Sequence, residues 1–120
     1  MGTILQDVKK FIGGIADDNT AFDADILMYI NGAFTKMTRA GVGPEEGIEV
    51  VANTTWESLG QDNKTTSAIK NFVTMDVKIA FDSSTISSFV LDSYKSLRDE
   101  FLWTLNNYAD HWNTSETGGT

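Results

Sequence analysis

Apolar residues recur three and four positions apart along most of this chain, the spacing that gathers them on one face of a helix. Ile4, Leu5, Val8, Phe11 and Ile12 form the first such set and predict a short amphipathic helix from Thr3 to Ile12. Thr3 suits the N-cap, because its hydroxyl can accept from an unpaired N–H of the first turn. Gly13-Gly14 is a natural stop, and Ala16 to Thr20 has turn composition. A second helix is predicted from Asp23 to Ala40, with Ile26, Ile30, Ala33 and Met37 in one stripe and Leu27 and Phe34 beside it. Asp23 and Asp25 sit at its positive end, Lys36 and Arg39 in its last turn, and Gly41 follows as a left-handed cap. Gly32 interrupts this helix at a cost of about 1 kcal/mol against Ala. Close packing against a neighbouring helix is the reading preferred for it.

Gly41 to Asp62 lacks helical spacing. It holds the only proline, in Gly43-Pro44-Glu45-Glu46-Gly47, then Ile48, Val50 and Val51 in weak alternation. Irregular connections of about twenty residues are usually functional or disordered. Trp56 argues against disorder and predicts packing on the core or on another chain. A third helix spans Asn63 to Phe81, where Ile69, Phe72, Val73, Met75, Val77, Ile79, Ala80 and Phe81 cover more than one face. It should be the most buried element. After a Ser/Thr-rich hinge, Ser88 to about Trp112 forms the longest helix, about 37 Å at 1.5 Å per residue. Its stripe is Val90, Tyr94, Leu97, Phe101, Leu105, Tyr108 and Trp112, widened by Leu91, Leu102 and Trp103. The pattern therefore predicts an all-α fold, a small bundle of about four helices. A long loop joins the second and third helices, and the C-terminal helix is long. Residues 1–112 make one helical domain, and residues 113–120, without an apolar side chain, make a flexible tail.

Composition narrows the function. At 120 residues the chain is one domain, and thirteen aromatics (seven Phe, three Tyr, three Trp) are enough for a modest core that a partner could complete. A net charge of −8 repels phosphate backbones and disfavours nucleic-acid binding. The absence of cysteine excludes disulfides and thiolate metal sites. The first twelve residues place Lys9 and Lys10 after the apolar ones, the reverse of a signal peptide, and no run approaches a membrane span.

Catalytic chemistry finds few residues to use. His111 is the only histidine and has no cysteine to work with, so nucleophilic pairs and a structural zinc site are both disfavoured. Asp17-Asp18, Asp23, Asp25, Glu45-Glu46 and Asp99-Glu100 are explained by turns, helix N-termini and i,i+4 pairs. Asp17-Asp18-Asn19 lacks the later ligands of a calcium loop, and Gly41-Val42-Gly43 lacks the Lys-Ser/Thr of a phosphate loop. No enzyme and no cofactor is expected. What remains is apolar pattern at the end of the last helix. Phe101, Leu105 and Tyr108 suit the chain's own core, whereas Trp103 and Trp112, with Tyr108 able to join them, suit anchors for another protein surface.

Several stretches then resemble one family. They are Ile4-Leu5-Gln6-Asp7-Val8-Lys9-Lys10-Phe11-Ile12-Gly13 with the turn Asp17-Asp18, and Phe22-Asp23-Ala24-Asp25-Ile26-Leu27-Met28-Tyr29-Ile30-Asn31. Gly41 to Gly47, Thr55-Trp56-Glu57, and Phe81-Asp82 with Ser87-Ser88-Phe89-Val90 follow in order. From about residue 4 to residue 110 the chain resembles the head–tail connector (adaptor) proteins of tailed bacteriophages. It departs from them in the hinge, where Asp82-Ser83-Ser84 stands in place of an Asp-Pro-Pro pattern and softens the joint. The resemblance implies a structural virion protein forming a closed ring of identical subunits, typically about twelve. Such a ring joins the portal to the next neck or head-completion protein and leaves a channel through which DNA passes without specific binding. The implied location is the virion neck, after synthesis in the host bacterial cytoplasm, with no membrane contact. The loop between the second and third helices and the C-terminal region are the implied contact regions. They name Pro44, Glu45, Glu46, Trp56, Trp103, Tyr108 and Trp112 as partner-contact residues. The competing reading is a small helical regulatory or adaptor module that binds a single host protein.

Overall fold

A computed structural model describes residues 3–13, 15–16, 18–82 and 86–107. Tyr108, His111, Trp112 and the tail lie outside the described residues, as do Gly14, Asp17, Ser83 and Ser84. The fold is all-α: α1 (Ile4–Ile12), α2 (Asp23–Arg39), α3 (Asn63–Asp82) and α4 (Ser88–Asn107), with a 3-10 turn at Glu57–Leu59. Among the described residues there is no strand, only an isolated antiparallel bridge between Thr3 and Thr55.

The ends of the helices follow their local chemistry. The Thr3 hydroxyl accepts from the Gln6 N–H at 3.1 Å, and the Gln6 side chain accepts from the Thr3 N–H at 3.0 Å, a reciprocal cap. Gly41 adopts φ +85°, which lets its N–H reach the Thr38 carbonyl at 3.0 Å and the Val42 N–H reach that of Met37 at 2.9 Å. Met37 and Val42 are both buried, so the polar cap is sealed by an apolar contact. Asp62 accepts from the Thr65 N–H at 2.8 Å and starts α3.

The centre of the bundle is α3, which packs on each of the other three helices. It buries ten residues, among them Ile69, Phe72, Val73 and Val77. The core also takes Ile4, Leu5, Val8 and Ile12 from α1, Ile26, Ile30, Ala33, Phe34 and Met37 from α2, and Leu105 from α4. In contrast, Leu105 is the one fully buried residue of α4, with Phe101 and Leu102 packed partly beside it.

Two expectations need correction. Gly32 does not serve close packing: it is exposed, and a Cβ there would meet nothing within 4 Å. Leu97, placed in the inward stripe of α4, is exposed, because α4 rests mainly on α3 and no described element covers that flank.

Candidate partner-contact surfaces

The connection from α2 to α3 is held to the bundle by polar side chains. Asn31 grips it like the edge of a sheet: its Oδ1 accepts from the Val50 N–H at 2.8 Å, and its Nδ2 donates to the Val50 carbonyl at 2.9 Å. The Ile4 N–H donates to the Thr54 carbonyl at 2.9 Å on the other side. Between α2 and this anchor the chain turns at Pro44-Glu45-Glu46-Gly47, where the Gly47 N–H meets the Pro44 carbonyl at 3.0 Å and Gly47 takes φ +85°. Glu45 and Glu46 occupy the two middle positions of that turn and are exposed, while Pro44 is half-buried. The turn thus offers two carboxylates to solvent on a short, pinned loop.

Trp56 belongs elsewhere. It is 6% exposed and part of the core. Its indole Nε1 donates to Asp7 Oδ2 at 2.8 Å, and the Lys70 ammonium lies 3.2 Å from the same oxygen and 6.0 Å from the ring centroid. Trp56 acts as a wedge holding the loop against α1 and α3, because burying an indole removes a large apolar surface from water, and its rim borders the hollow lined by Asp7, Glu57 and Lys70.

Two further anchors escaped the hydrophobic pattern because they are charged. Lys9, 2% exposed, places its ammonium 2.9 Å from Asp23 Oδ1 and donates to the Asn19 carbonyl at 2.8 Å, tying α1 to the turn before α2. Asp76, 4% exposed on α3, receives Lys36 of α2 at 2.9 and 3.0 Å and Arg98 of α4 at 3.4 Å. One carboxylate therefore links three helices. Each sits at core-face spacing, Lys9 four residues after Leu5 and Asp76 three after Val73, where its charge keeps it out of an apolar pattern. A basic residue and an acidic one falling inside apolar stripes is the only sequence signal that could have marked them.

Among the described residues, the two most exposed large apolar side chains stand on α4. Phe89 is 80% exposed and Trp103 69% exposed, on a helix whose inner side carries Tyr94, Arg98, Phe101 and Leu105. The prediction that Trp103 stands outside the core agrees with this placement; Tyr108 and Trp112 lie outside the described residues. Phe11, Phe22, Met28 and Val51 are exposed elsewhere. Among the described residues no three His, Cys, Asp or Glu side chains gather as a metal site would require. No described helix is long and apolar enough to cross a membrane.

Neither the curated proteins nor the solved structures compared with the chain include a match. A family model described as phage connector protein matches residues 4–111, from the first residue of α1 through the whole of α4. That span takes in the buried core, the pinned loop and the exposed aromatic helix together, and the chain belongs to the phage connector protein family.

Proposed function

We propose that the chain is the structural subunit of a head–tail connector, forming a ring that joins the portal to the next neck component. The ring leaves a channel for DNA. The observation that carries this reading is α4: in a chain of the connector family, a twenty-residue helix keeps only Leu105 fully buried and turns Phe89 and Trp103 to solvent. Large aromatics on a helix so little covered are characteristic of a surface completed by another protein. Family membership implies interaction with other virion proteins; the identities of those neighbours, the portal above and a head-completion protein below, belong to this proposal.

In this role the protein needs no catalytic residue and no cofactor, and it resides in the virion after synthesis in the host cytoplasm. The charge of −8 suits a conduit, since acidic walls repel the DNA backbone and let it slide. An assembled ring whose lumen proved neutral or basic would overturn the charge argument.

Light scattering coupled to size exclusion, followed by electron microscopy with and without the portal protein, tests the whole reading. The expected result is a closed ring, either alone or templated on the portal. A chain that stays monomeric at every concentration and does not bind the portal would overturn it, and capture of a single host protein instead would favour an adaptor module.

A further inference from the structure

A closed ring of identical subunits needs a head-to-tail contact, in which two different patches on one subunit fit each other. Two such patches of opposite charge are present, and this inference rests on the ring reading above. The first is the outer side of α4. Phe89, Ser96 and Trp103 follow at intervals of seven along the side turned away from α3. Asp99 and Glu100 stand four and three residues before Trp103, so they share its side of the helix, and Asp92 lies near Phe89. All three carboxylates are exposed; Arg98 reaches inward to Asp76 at 3.4 Å while its Nε donates to Asp99 at 3.2 Å, and exposed Lys95 stands beside them, so the stripe is net negative.

The second patch is an open groove between α1 and α3. Two adjoining hollows share Asp7 and Lys70: the smaller, about 280 Å³, is lined also by Trp56, Glu57 and Gln61, and the larger, about 330 Å³, forms the patch. The larger is lined by Asp7, Lys10, Phe11, Lys70, Asn71 and Thr74. Phe11 presents a half-exposed ring there, with the ammonium of Lys78 5.9 Å from its centroid. Asp7 pairs with Lys70 at 3.2 Å and accepts from Trp56, so in the larger hollow Lys10 and Lys70 face one carboxylate and the Phe11 ring lies in a net-positive setting.

We infer that the Trp103 stripe of α4 docks into the α1–α3 groove of a neighbouring copy of this chain. The indole packs on Phe11, and Asp99 and Glu100 meet Lys10 and Lys70. Aromatic rings gain from offset or edge contact, and an ammonium beside an indole adds a cation–π attraction. Charge also excludes the symmetric alternatives. Two α4 stripes face to face would oppose carboxylate to carboxylate, and two grooves would oppose lysine to lysine. The pairing is therefore of unlike surfaces, which propagates from copy to copy until a ring closes.

The chain contains no cysteine, so single thiols can be introduced without background. Asn107→Cys marks the α4 stripe one turn beyond Trp103, Asn71→Cys marks the groove, and Gly32→Cys marks an exposed site on α2 as a control. Equal mixtures are treated with a short bismaleimide at high protein concentration, and the wild-type chain is examined in parallel by light scattering and microscopy. The expected result is a cross-linked heterodimer from Asn107→Cys with Asn71→Cys that is absent from the Gly32→Cys mixture. Adding Trp103→Ala to the first chain, or Lys10→Glu to the second, should abolish it. A yield equal to the control, or a dominant Asn107→Cys homodimer, would overturn the pairing. Rings that form without the cross-link would likewise reject this pairing and leave the ring reading intact. The cross-link in a chain that never closes a ring would uphold the contact and reject the ring; absence of both would count against each.

Discussion

Asp76 is the residue whose role is least visible from its neighbours in the chain. It sits among Val73, Met75 and Val77 on α3, yet it gathers Lys36 and Arg98 from two other helices. A buried carboxylate is stable only when its charge is answered, so removing that charge leaves Arg98 with only the exposed Asp99 as an ionic partner. Breaking a wholly buried pair costs several kcal/mol; Lys36 is half exposed and can turn to water. Asp76→Asn should therefore destabilise the fold by about 2 kcal/mol, read as a lowered midpoint in urea with an unchanged slope. An unaltered midpoint would mean that the three-helix link contributes nothing. Trp56 gives a second test at this scale. Trp56→Phe keeps most of the apolar burial but loses the bond from Nε1 to Asp7, and should cost about 1–2 kcal/mol by the same measurement.

At the scale of elements, the two glycines of α2 and its cap have opposite consequences. Gly32 is exposed in mid-helix with open space around it, so nothing in the described fold requires it. Gly32→Ala should raise stability by about 1 kcal/mol through helix propensity, seen as a higher melting temperature in circular dichroism. No change, or a fall, would show that the position is constrained by something outside the isolated chain. Gly41 is held at φ +85° by the bonds that close α2. There Gly41→Ala should cost about 1–2 kcal/mol, because a Cβ is strained in the left-handed region. The starts of all four helices and the ends of the first three were readable because caps and stops are local: Thr3, Gly41 and Asp62 each act within a few residues; the end expected for α4 near Trp112 lies outside the described residues. The course of the α2–α3 connection was not readable in the same way. Its anchor, Asn31 on Val50, joins positions nineteen apart, and an amide on a helix carries no local mark of a distant partner.

On the scale of the whole molecule, burial is unevenly shared. The core is drawn mainly from α1, α2 and α3, with Leu105 added from α4, while α4 lies along α3 with its outer aromatics in solvent. Trp103→Ala should thus leave the unfolding free energy of the isolated chain within about 0.5 kcal/mol of wild type, as for other surface substitutions. In the proposed role it should shift assembly toward free subunits, measured by sedimentation at several concentrations. A large loss of stability with assembly intact would instead place Trp103 in the chain's own fold.

The periodic pattern determined the all-α class, the four helices and the central place of α3, because a helix's buried face is written at intervals of three and four residues. Resemblance in five ordered stretches carried the connector family, which the match over residues 4–111 establishes. Tertiary structure alone decided which aromatics are covered. Trp56 and Trp103 are alike as residues, yet one is sealed over α1 and α3 beside Asp7 and the other stands in water. That difference depends on what other elements lie across each ring, and the same is true of Lys9 and Asp76, whose partners are brought to them by the fold.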